Sequence, residues 1–190
     1  MIFFGFLYYK IFLFGNNISK NRSTNQTEDM LNAMKNYCAE VEVTVNSNKT
    51  QNSYAMRQEV DGDWSMQEVT KGENIEGVKI ELNGSNLKVS NSRLNLEKVY
   101  ENYQNLLNHA MFLNSFVADY ENEKNTSSCH EENGELILEV NLNNHPNTYI
   151  NHKKLYVDVK TGKPTKLEIK DNTKKETICI LYNNVEFKRS

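Results

Sequence analysis

The chain has 190 residues, 38% of them hydrophobic and 25% charged, and carries a formal net charge of -3. This length can bury the core of one domain, and three cysteines in a chain this long exclude a disulfide scaffold. The slight acidic excess argues against a general nucleic-acid binder, and ten Tyr, eight Phe and only two Pro argue against a disordered chain.

Residues 1–26 differ in composition from the rest of the chain. The stretch MIFFGFLYYKIFLFG is apolar and aromatic, and a polar linker follows it. At about 14 residues it is short for a membrane span but suits an export signal. The alternatives are that this stretch is an uncleaved hydrophobic anchor, or that the start codon is assigned wrongly. Leu13-Phe14-Gly15 resembles the start of a lipoprotein processing box, but Asn16 occupies the position of the lipidated cysteine, which argues against a lipid anchor.

A single domain is predicted over residues 27–190, beginning with a helix and a meander of strands. Thr27 with the acidic residues after it is typical of a helix start, which predicts a helix over about 27–37. From Ala39 to Val45 apolar and polar residues alternate, as expected for a half-buried strand. Further strands are predicted on both sides of the hairpin turns Asp61-Gly62 and Asn83-Gly84.

The middle of the chain shows helical spacing instead. Apolar residues three and four apart predict one short helix from Leu96 to Leu107 and a second from Phe112 to Tyr120. Strand patterns then resume around the turns Asn133-Gly134 and Thr161-Gly162. A last turn at Asn183-Asn184 is predicted to lead into a final strand.

These elements predict an α+β fold. An antiparallel sheet of this size needs helices over its apolar face, which is met by a strongly curved, half-open β-barrel with the N-terminal helix and two short helices across its mouth. Such a shape often leaves a groove for an acyl chain or for apolar side chains of a partner. The candidate groove residues are Tyr54, Trp64, Met66, Phe112, Leu113 and Phe116. Plain core is the alternative interpretation of the same residues.

No constellation of residues points to catalysis. The four histidines, His109, His130, His145 and His152, lack the close spacing of a zinc site. Cys38 and Cys179 fall in predicted strands, and Cys129 falls in a polar loop where it should be exposed. Neither a nucleophile elbow nor a glycine-rich phosphate loop is present. The sequence therefore predicts a protein that is not an enzyme and binds no cofactor of its own.

The last quarter of the chain is basic. Lys166, Glu168 and Lys170 alternate with Leu167 and Ile169, which predicts that the charged three share the solvent side of a strand. Lys166, Lys170 and Lys174 are the candidate basic docking face, for an acidic partner, an anionic lipid or a cell-wall polymer. The alternative is an ordinary solvated sheet face.

One segment carries a resemblance to a known superfamily. The sequence YINHKKLYVDVKTGKPTKLEIK, from Tyr149 to Lys170, contains Val157-Asp158, Thr161-Gly162 and Pro164 followed by Lys166-Leu167-Glu168. It is similar to the strand-turn-strand element of the LolA/LolB-like lipoprotein carriers, and the order of predicted elements resembles that superfamily as well. The resemblance implies a LolA-like half-barrel.

A narrower resemblance covers about residues 28–188. The segments YCAEVEVTVNSNKTQNSYAMRQ, LNGSNLKVSNSRLNLEKVY and NSFVADYE, with the hairpin at Trp64, resemble the GerS-like lipoproteins of clostridial spore germination. It implies a noncatalytic exported protein that binds a CwlD-like N-acetylmuramoyl-L-alanine amidase and licenses muramic-δ-lactam formation in the spore cortex. The resemblance also implies that the amidase carries the zinc ion. It further implies that this protein is located at the membrane or at the forespore envelope. A homodimer formed by strand exchange is a further expectation, and an acyl-chain carrier is the alternative function.

Overall fold

The computed structural model describes residues 26–103, 109–142 and 147–188. Residues 26–33 form the described part of helix α1, and a second helix, α2, spans Leu113–Asn122 after a short 3-10 helix at His109–Met111. The strands are β1 Tyr37–Asn46, β2 Gln51–Asp61, β3 Trp64–Lys71, β4 Val78–Asn83, β5 Asn86–Asn91, β6 Leu96–Tyr100, β7 Ser127–Glu132, β8 Glu135–Asn141, β9 His152–Asp158, β10 Pro164–Lys170 and β11 Glu176–Phe187.

The eleven strands form one open antiparallel sheet in the order β6-β5-β4-β3-β2-β1-β11-β10-β9-β8-β7. Every strand neighbours the next one in sequence, except that α2 separates β6 from β7 and the chain closes back with β11 beside β1. The first and last strands are therefore central, and β6 and β7 are the two edges. This arrangement agrees with the predicted antiparallel meander, and the predicted α+β class holds with two α-helices in the described residues.

Alternation within the strands separates two sides of the sheet. On β1 the residues Ala39, Val41 and Val43 are buried, whereas Glu40 and Glu42 are exposed, as the sequence pattern predicts. The buried side faces the two helices, and we call it the helix side; the opposite side is the outer side. Leu31 of α1, Met34 directly after α1 and Phe116 of α2 complete one apolar cluster with this side. Burial of such side chains is the main driving force for the fold.

The turn Asn133-Gly134 shows why the hairpin predictions succeeded. Both residues have positive φ angles, 53° and 83°, which are the angles of a type I′ turn. β7 ends at Glu132 and β8 begins at Glu135, so the turn has the predicted length of two residues. Asp61-Gly62, Asn83-Gly84 and Thr161-Gly162 likewise lie at reversals between paired strands.

The predicted helix from Leu96 to Leu107 is wrong over its first part. Oδ1 of Asn91 accepts hydrogen bonds from the backbone N–H groups of Arg93 and Leu94, at 3.0 and 3.1 Å. Asn95 follows with a φ angle of 51°, and the chain reverses so that Leu96–Tyr100 pairs with β5. A side-chain turn of this kind leaves little trace in hydrophobic spacing. Leu106 and Leu107 lie outside the described residues.

The predicted turn at Asn183-Asn184 is also wrong. β11 runs through both residues, and its pairing with β1 shifts by one position there: Glu40 lies opposite Asn184, whereas Val41 lies opposite Tyr182. Asn183 is the extra residue of a β-bulge, which keeps Tyr182 and Val185 both buried on the helix side.

Candidate functional site

The six candidate groove residues do not share one surface. Phe112, Leu113 and Phe116 are buried in the core beneath α2, and Tyr54 packs at the margin of the same cluster. The strand register separates the other two: Trp64 lies opposite Asp61, whereas Val60 on the helix side lies opposite Ser65. Trp64 and Met66 therefore point to the outer side. Because the turn pairs Trp64 with Asp61, β3 begins on the outer side, whereas the grouping of these residues from the sequence placed Trp64 on the same side as Tyr54.

Two buried polar side chains hold the start of α2. The hydroxyl group of Tyr37 donates to Oε1 of Gln58 at 3.0 Å and accepts the backbone N–H of Leu113 at 3.2 Å. Nε2 of Gln58 donates to the carbonyl oxygen of Met111 at 3.2 Å. Burial raises the pKa of Tyr37 far above its ordinary value, with the hydrogen bond from Leu113 acting in the opposite direction. The hydroxyl group therefore stays neutral and fixes the helix on the sheet.

A buried lysine holds the middle of α2. Lys153 points to the helix side of β9, is only 1% exposed, and places Nζ 2.6 Å from Oδ2 of Asp119. The same Nζ donates to Oγ of Ser115 at 3.1 Å. Burial lowers the pKa of Lys153, and Asp119 acts against that change. Its charge hides this position in the sequence, although its place two residues before the inward-facing Leu155 was a signal for burial.

These two sets of contacts close the middle of the helix side. Tyr37 and Gln58 hold the first turn of α2. Lys153 holds the helix further along, through Ser115 and Asp119. The space that the sequence analysis expected to hold an acyl chain is filled there by Phe116, which is fully buried. Phe112 and Leu113 are buried beside it.

A cleft of about 480 Å³ lies at the end of the helix side that α1 borders. Its apolar lining comes from both helix and sheet: Met30, Leu136, Val157, Val159 and Phe187. Asp29, Glu131 and Asp158 also line it, with Lys160. This volume falls within the range of small-ligand sites in proteins, roughly 300–1,000 Å³. The cleft could hold a short apolar group, and none of the six residues chosen from the sequence lines it.

The three candidate docking lysines lie on or beside the outer side. Lys166 and Lys170 flank Glu168 and contact its carboxylate at 2.7 and 3.0 Å, which confirms that the three share one side of β10. Nζ of Lys166 also lies 4.0 Å from the centre of the Tyr156 ring. Burial opposes ionisation of Glu168, but the two lysines outweigh it and lower its pKa. Lys174 lies in the turn before β11.

His152 and Glu139 extend this charged surface across β9 and β8. Nδ1 of His152 is 2.8 Å from Oδ1 of Asn141, so that nitrogen carries the hydrogen, and Nε2 is 3.6 Å from a Glu139 oxygen. Lys154 contacts the other Glu139 oxygen at 2.9 Å. Burial lowers the pKa of His152, Glu139 acts against it, and Lys170, Lys174 and Lys154 lower it further. The imidazole is therefore neutral at pH 7.

The thiols are not activated. Cys38, Cys129 and Cys179 are all free, and burial raises the pKa of each. Cys129 is exposed, as predicted, but it belongs to the edge strand β7 and not to a loop. A thiol with a raised pKa is a poor nucleophile at neutral pH.

Within the described ranges, no three His, Cys, Asp or Glu side chains are grouped closely enough to hold a metal ion. His130 and His152 lie on β7 and β9, while His145 lies outside the described residues and the side chain of His109 is not described. In the same part of the chain, neither helix has the length and apolar character needed to span a bilayer.

A family model for YdcC-like sporulation proteins matches residues 1–190. The match spans the whole chain, and the chain belongs to this family. No curated protein matches its sequence significantly.

Two solved structures share the fold, with TM-scores above 0.5. One chain in the solved complex of the CwlD amidase from Clostridioides difficile with the GerS lipoprotein is 23% identical. The match covers 89% of this chain and 96% of that chain, with a TM-score of 0.56. A conserved protein from Thermus thermophilus is 9% identical over 87% of this chain and 89% of its own, with a TM-score of 0.53. A LolA superfamily protein from Nitrosomonas europaea is 11% identical over 86% and 94%, with a TM-score of 0.41.

Proposed function

We propose that this YdcC-like sporulation protein is a noncatalytic, exported protein that binds a cortex-modifying N-acetylmuramoyl-L-alanine amidase of the CwlD type. By binding it, the protein licenses the amidase step that leads to muramic-δ-lactam in the spore cortex. The observation that carries the proposal is the whole-chain match to a sporulation family, together with the fold shared with a chain of the CwlD–GerS complex. The GerS-like sequence segments point to the same partner.

The chemistry of the described side chains supports a binding role. The buried Lys153 is ion-paired with Asp119 and holds a helix, so it is not free to act as a base. The thiols have raised pKa values, and Glu139 and Glu168 are each ion-paired with lysines. We therefore assign hydrolysis, and the zinc ion that it requires, to the amidase partner.

Location follows from residues 1–26. The apolar stretch before the polar linker supports export and attachment at the membrane of the forespore or spore envelope. Asn16 at the position of the lipidated cysteine puts a lipid anchor in doubt. Expression in the sporulating host, followed by fractionation and intact-mass measurement, tests this: a mass without an acyl group and a membrane-bound chain are expected.

The first test is complex formation. The full chain is coexpressed with the cortex amidase of the same organism, and the product is analysed by size-exclusion chromatography with light scattering. The proposal expects one peak that contains both proteins, and separate elution contradicts it. A separate light-scattering run of the purified chain alone measures whether it is a dimer, as expected for strand exchange between copies, or a monomer.

A lipid or lipoprotein carrier is the second candidate function, and the 480 Å³ cleft beside α1 favours it. An acyl chain would lie against Val159, which is 42% exposed, and displace water from its side chain. Native mass spectrometry and displacement of a fluorescent fatty acid test the idea. Binding that Val159→Glu weakens at least tenfold supports the carrier, and absence of both signals contradicts it.

A further inference from the structure

The cleft beside α1 has an apolar lining that water reaches. Val159, in the turn after β9, is 42% exposed. Met30, Leu136 and Phe187 pack against the core but are only partly buried. These side chains come from α1, β8 and the last residue of β11, so a group placed among them would lose contact with water on several sides. Removal of apolar surface from water favours the binding of an apolar group.

The charged residues of the cleft are mostly acidic. Asp29 of α1, Glu131 of β7 and Asp158 at the end of β9 line it, together with one lysine, Lys160. Glu131 lies opposite Leu136, which places its side chain on the helix side of the edge strand. Asp29 and Glu131 therefore contribute carboxylates from the helix wall and from the sheet wall of the cleft.

Two of the three carboxylates are not used by the fold. Oδ1 of Asp158 accepts hydrogen bonds from the backbone N–H and the hydroxyl group of Thr161, at 2.7 and 2.9 Å. These hydrogen bonds, with the charge of Lys160 as a smaller cause, lower the pKa of Asp158. Asp158 thus holds the turn, and Lys160 offsets its charge. In the part of the chain that the structure describes, the carboxylates of Asp29 and Glu131 have no hydrogen-bond or ion-pair partner.

We propose that the cleft binds a polypeptide segment in which a large apolar side chain is next to a lysine or an arginine. The apolar side chain would lie against Val159 and Phe187, and the cation would lie near Asp29 or Glu131. Lysine and arginine are the residues with which a polypeptide places a positive charge beside an apolar group. The two free carboxylates attract such a segment.

The same two carboxylates argue against a lipid as the occupant. The head group of a fatty acid or of an anionic lipid would be repelled by Asp29 and Glu131, although its acyl chain would suit the apolar lining. A basic, apolar peptide satisfies both parts of the cleft. The inference goes beyond the proposed function, because it specifies the chemistry of a bound segment and does not depend on the amidase.

The test uses two synthetic peptides that differ only in charge. Both are capped at their ends and contain Leu-Phe, which is flanked by two lysines in one peptide and by two glutamates in the other. Each is titrated into the isotope-labelled full chain, and changes in the amide NMR signals report the site. The lysine peptide should bind at least tenfold more tightly, with changes at Val159 and Gly162, which line the cleft. Added salt should weaken its binding, because it screens exposed charges.

Variants of similar shape test the two carboxylates. Glu131→Gln and Asp29→Asn each remove one charge from an exposed residue, and each should weaken binding of the lysine peptide at least threefold. Glu132→Gln is the matched control. Glu132 follows Glu131 on β7 and is also exposed, but it lies opposite Glu135 and points to the outer side, so its loss should leave binding unchanged. Urea unfolding establishes that each variant folds.

Equal binding of the two peptides, or wild-type binding by both Glu131→Gln and Asp29→Asn, overturns the inference. Binding of decanoate in preference to the lysine peptide, with changes at the same residues, assigns the cleft to an acyl ligand and overturns it as well. Absence of any change with the lysine peptide also overturns it, whether a second copy or the chain's own residues 1–15 fill the cleft. These results leave amidase binding untouched, so failure of this inference and failure of the proposed function are distinguishable.

Discussion

Nζ of Lys153 lies 2.6 Å from Oδ2 of Asp119, and this contact joins the inward side of β9 to α2. The two partners differ in their access to water, because the Lys153 side chain is 1% exposed and the Asp119 side chain 28%. Loss of Asp119 would leave a buried cation without a partner. Loss of Lys153 would leave a carboxylate that water can still reach. The pair should therefore respond differently to removal of each half.

Asp119→Asn should destabilise the protein by about 3 kcal/mol, since it leaves the buried ammonium group unpaired. Lys153→Met should cost less than about 1 kcal/mol, because an apolar side chain of similar volume replaces a buried charge. Urea unfolding of both variants measures the two free energies. Equal losses in the two variants would contradict this explanation of how α2 is held.

The Asp119→Asn variant should also change its response to pH. Burial lowers the pKa of Lys153, and removal of Asp119 takes away the charge that opposes this change. Between the lowered folded pKa and the ordinary pKa of 10.5, the unfolded chain binds the proton and the folded chain does not. The free energy of unfolding should therefore rise with pH in this window, relative to Lys153→Met as the control.

Tyr37→Phe should lower the free energy of unfolding by about 1–3 kcal/mol. The substitution removes one hydroxyl group and leaves Oε1 of Gln58 and the N–H of Leu113 without that partner in a buried setting. Tyr149→Phe, in which the hydroxyl group is removed from an exposed side chain, is the control and should change stability by less than about 0.5 kcal/mol. Thermal unfolding of the two variants should differ in the same direction.

Acid should destabilise the protein first through His152. Its folded pKa is lowered from 6.5, so the unfolded chain binds a proton at a higher pH than the folded chain does. The stabilising contribution is complete above pH 6.5 and is lost as the pH falls through the folded pKa. One such group changes the free energy of unfolding by at most about 1.4 kcal/mol per pH unit.

His152→Asn should remove most of the decline between pH 6.5 and 5, because Asn does not titrate. Glu139 and Glu168 also have lowered pKa values, but they act below their ordinary value of 4.5 and outside this window. Unfolding measured from pH 5 to 8 in the wild type and the variant checks the assignment. The same slope in both proteins would assign the decline to another group.

The sequence predicts most of the sheet because its signals are local. Ala39, Val41 and Val43 alternate with glutamates, and the Asn133-Gly134 turn needs two positive φ angles that Asn and Gly adopt at low cost. The missed strand β6 depends on Asn91, whose side chain accepts two backbone N–H groups and turns the chain back. Such a turn overrides the helical spacing of Leu96 and Val99.

The site was harder to predict because it depends on which side of the sheet a residue faces. Trp64 and Met66 were grouped with Phe116, but the turn before β3 sends them to the outer side. Lys153 was not identified as a buried residue from the sequence, because its partner Asp119 is 34 positions earlier in the chain. That pairing depends on the packing of α2 on β9, which a single sequence does not contain. The docking role of Lys166, Lys170 and Lys174 stays a prediction.

The central claim is that the protein licenses an amidase, and the most direct measurement is amidase activity on spore-type peptidoglycan with and without the full chain. Three samples are assayed: the purified amidase alone, the chain alone, and the two proteins in equimolar amounts. The released products are identified by mass spectrometry. We expect little or no cleavage by either protein alone and at least a tenfold increase when the two are combined. Full activity of the amidase alone, unchanged by the chain, would contradict the claim.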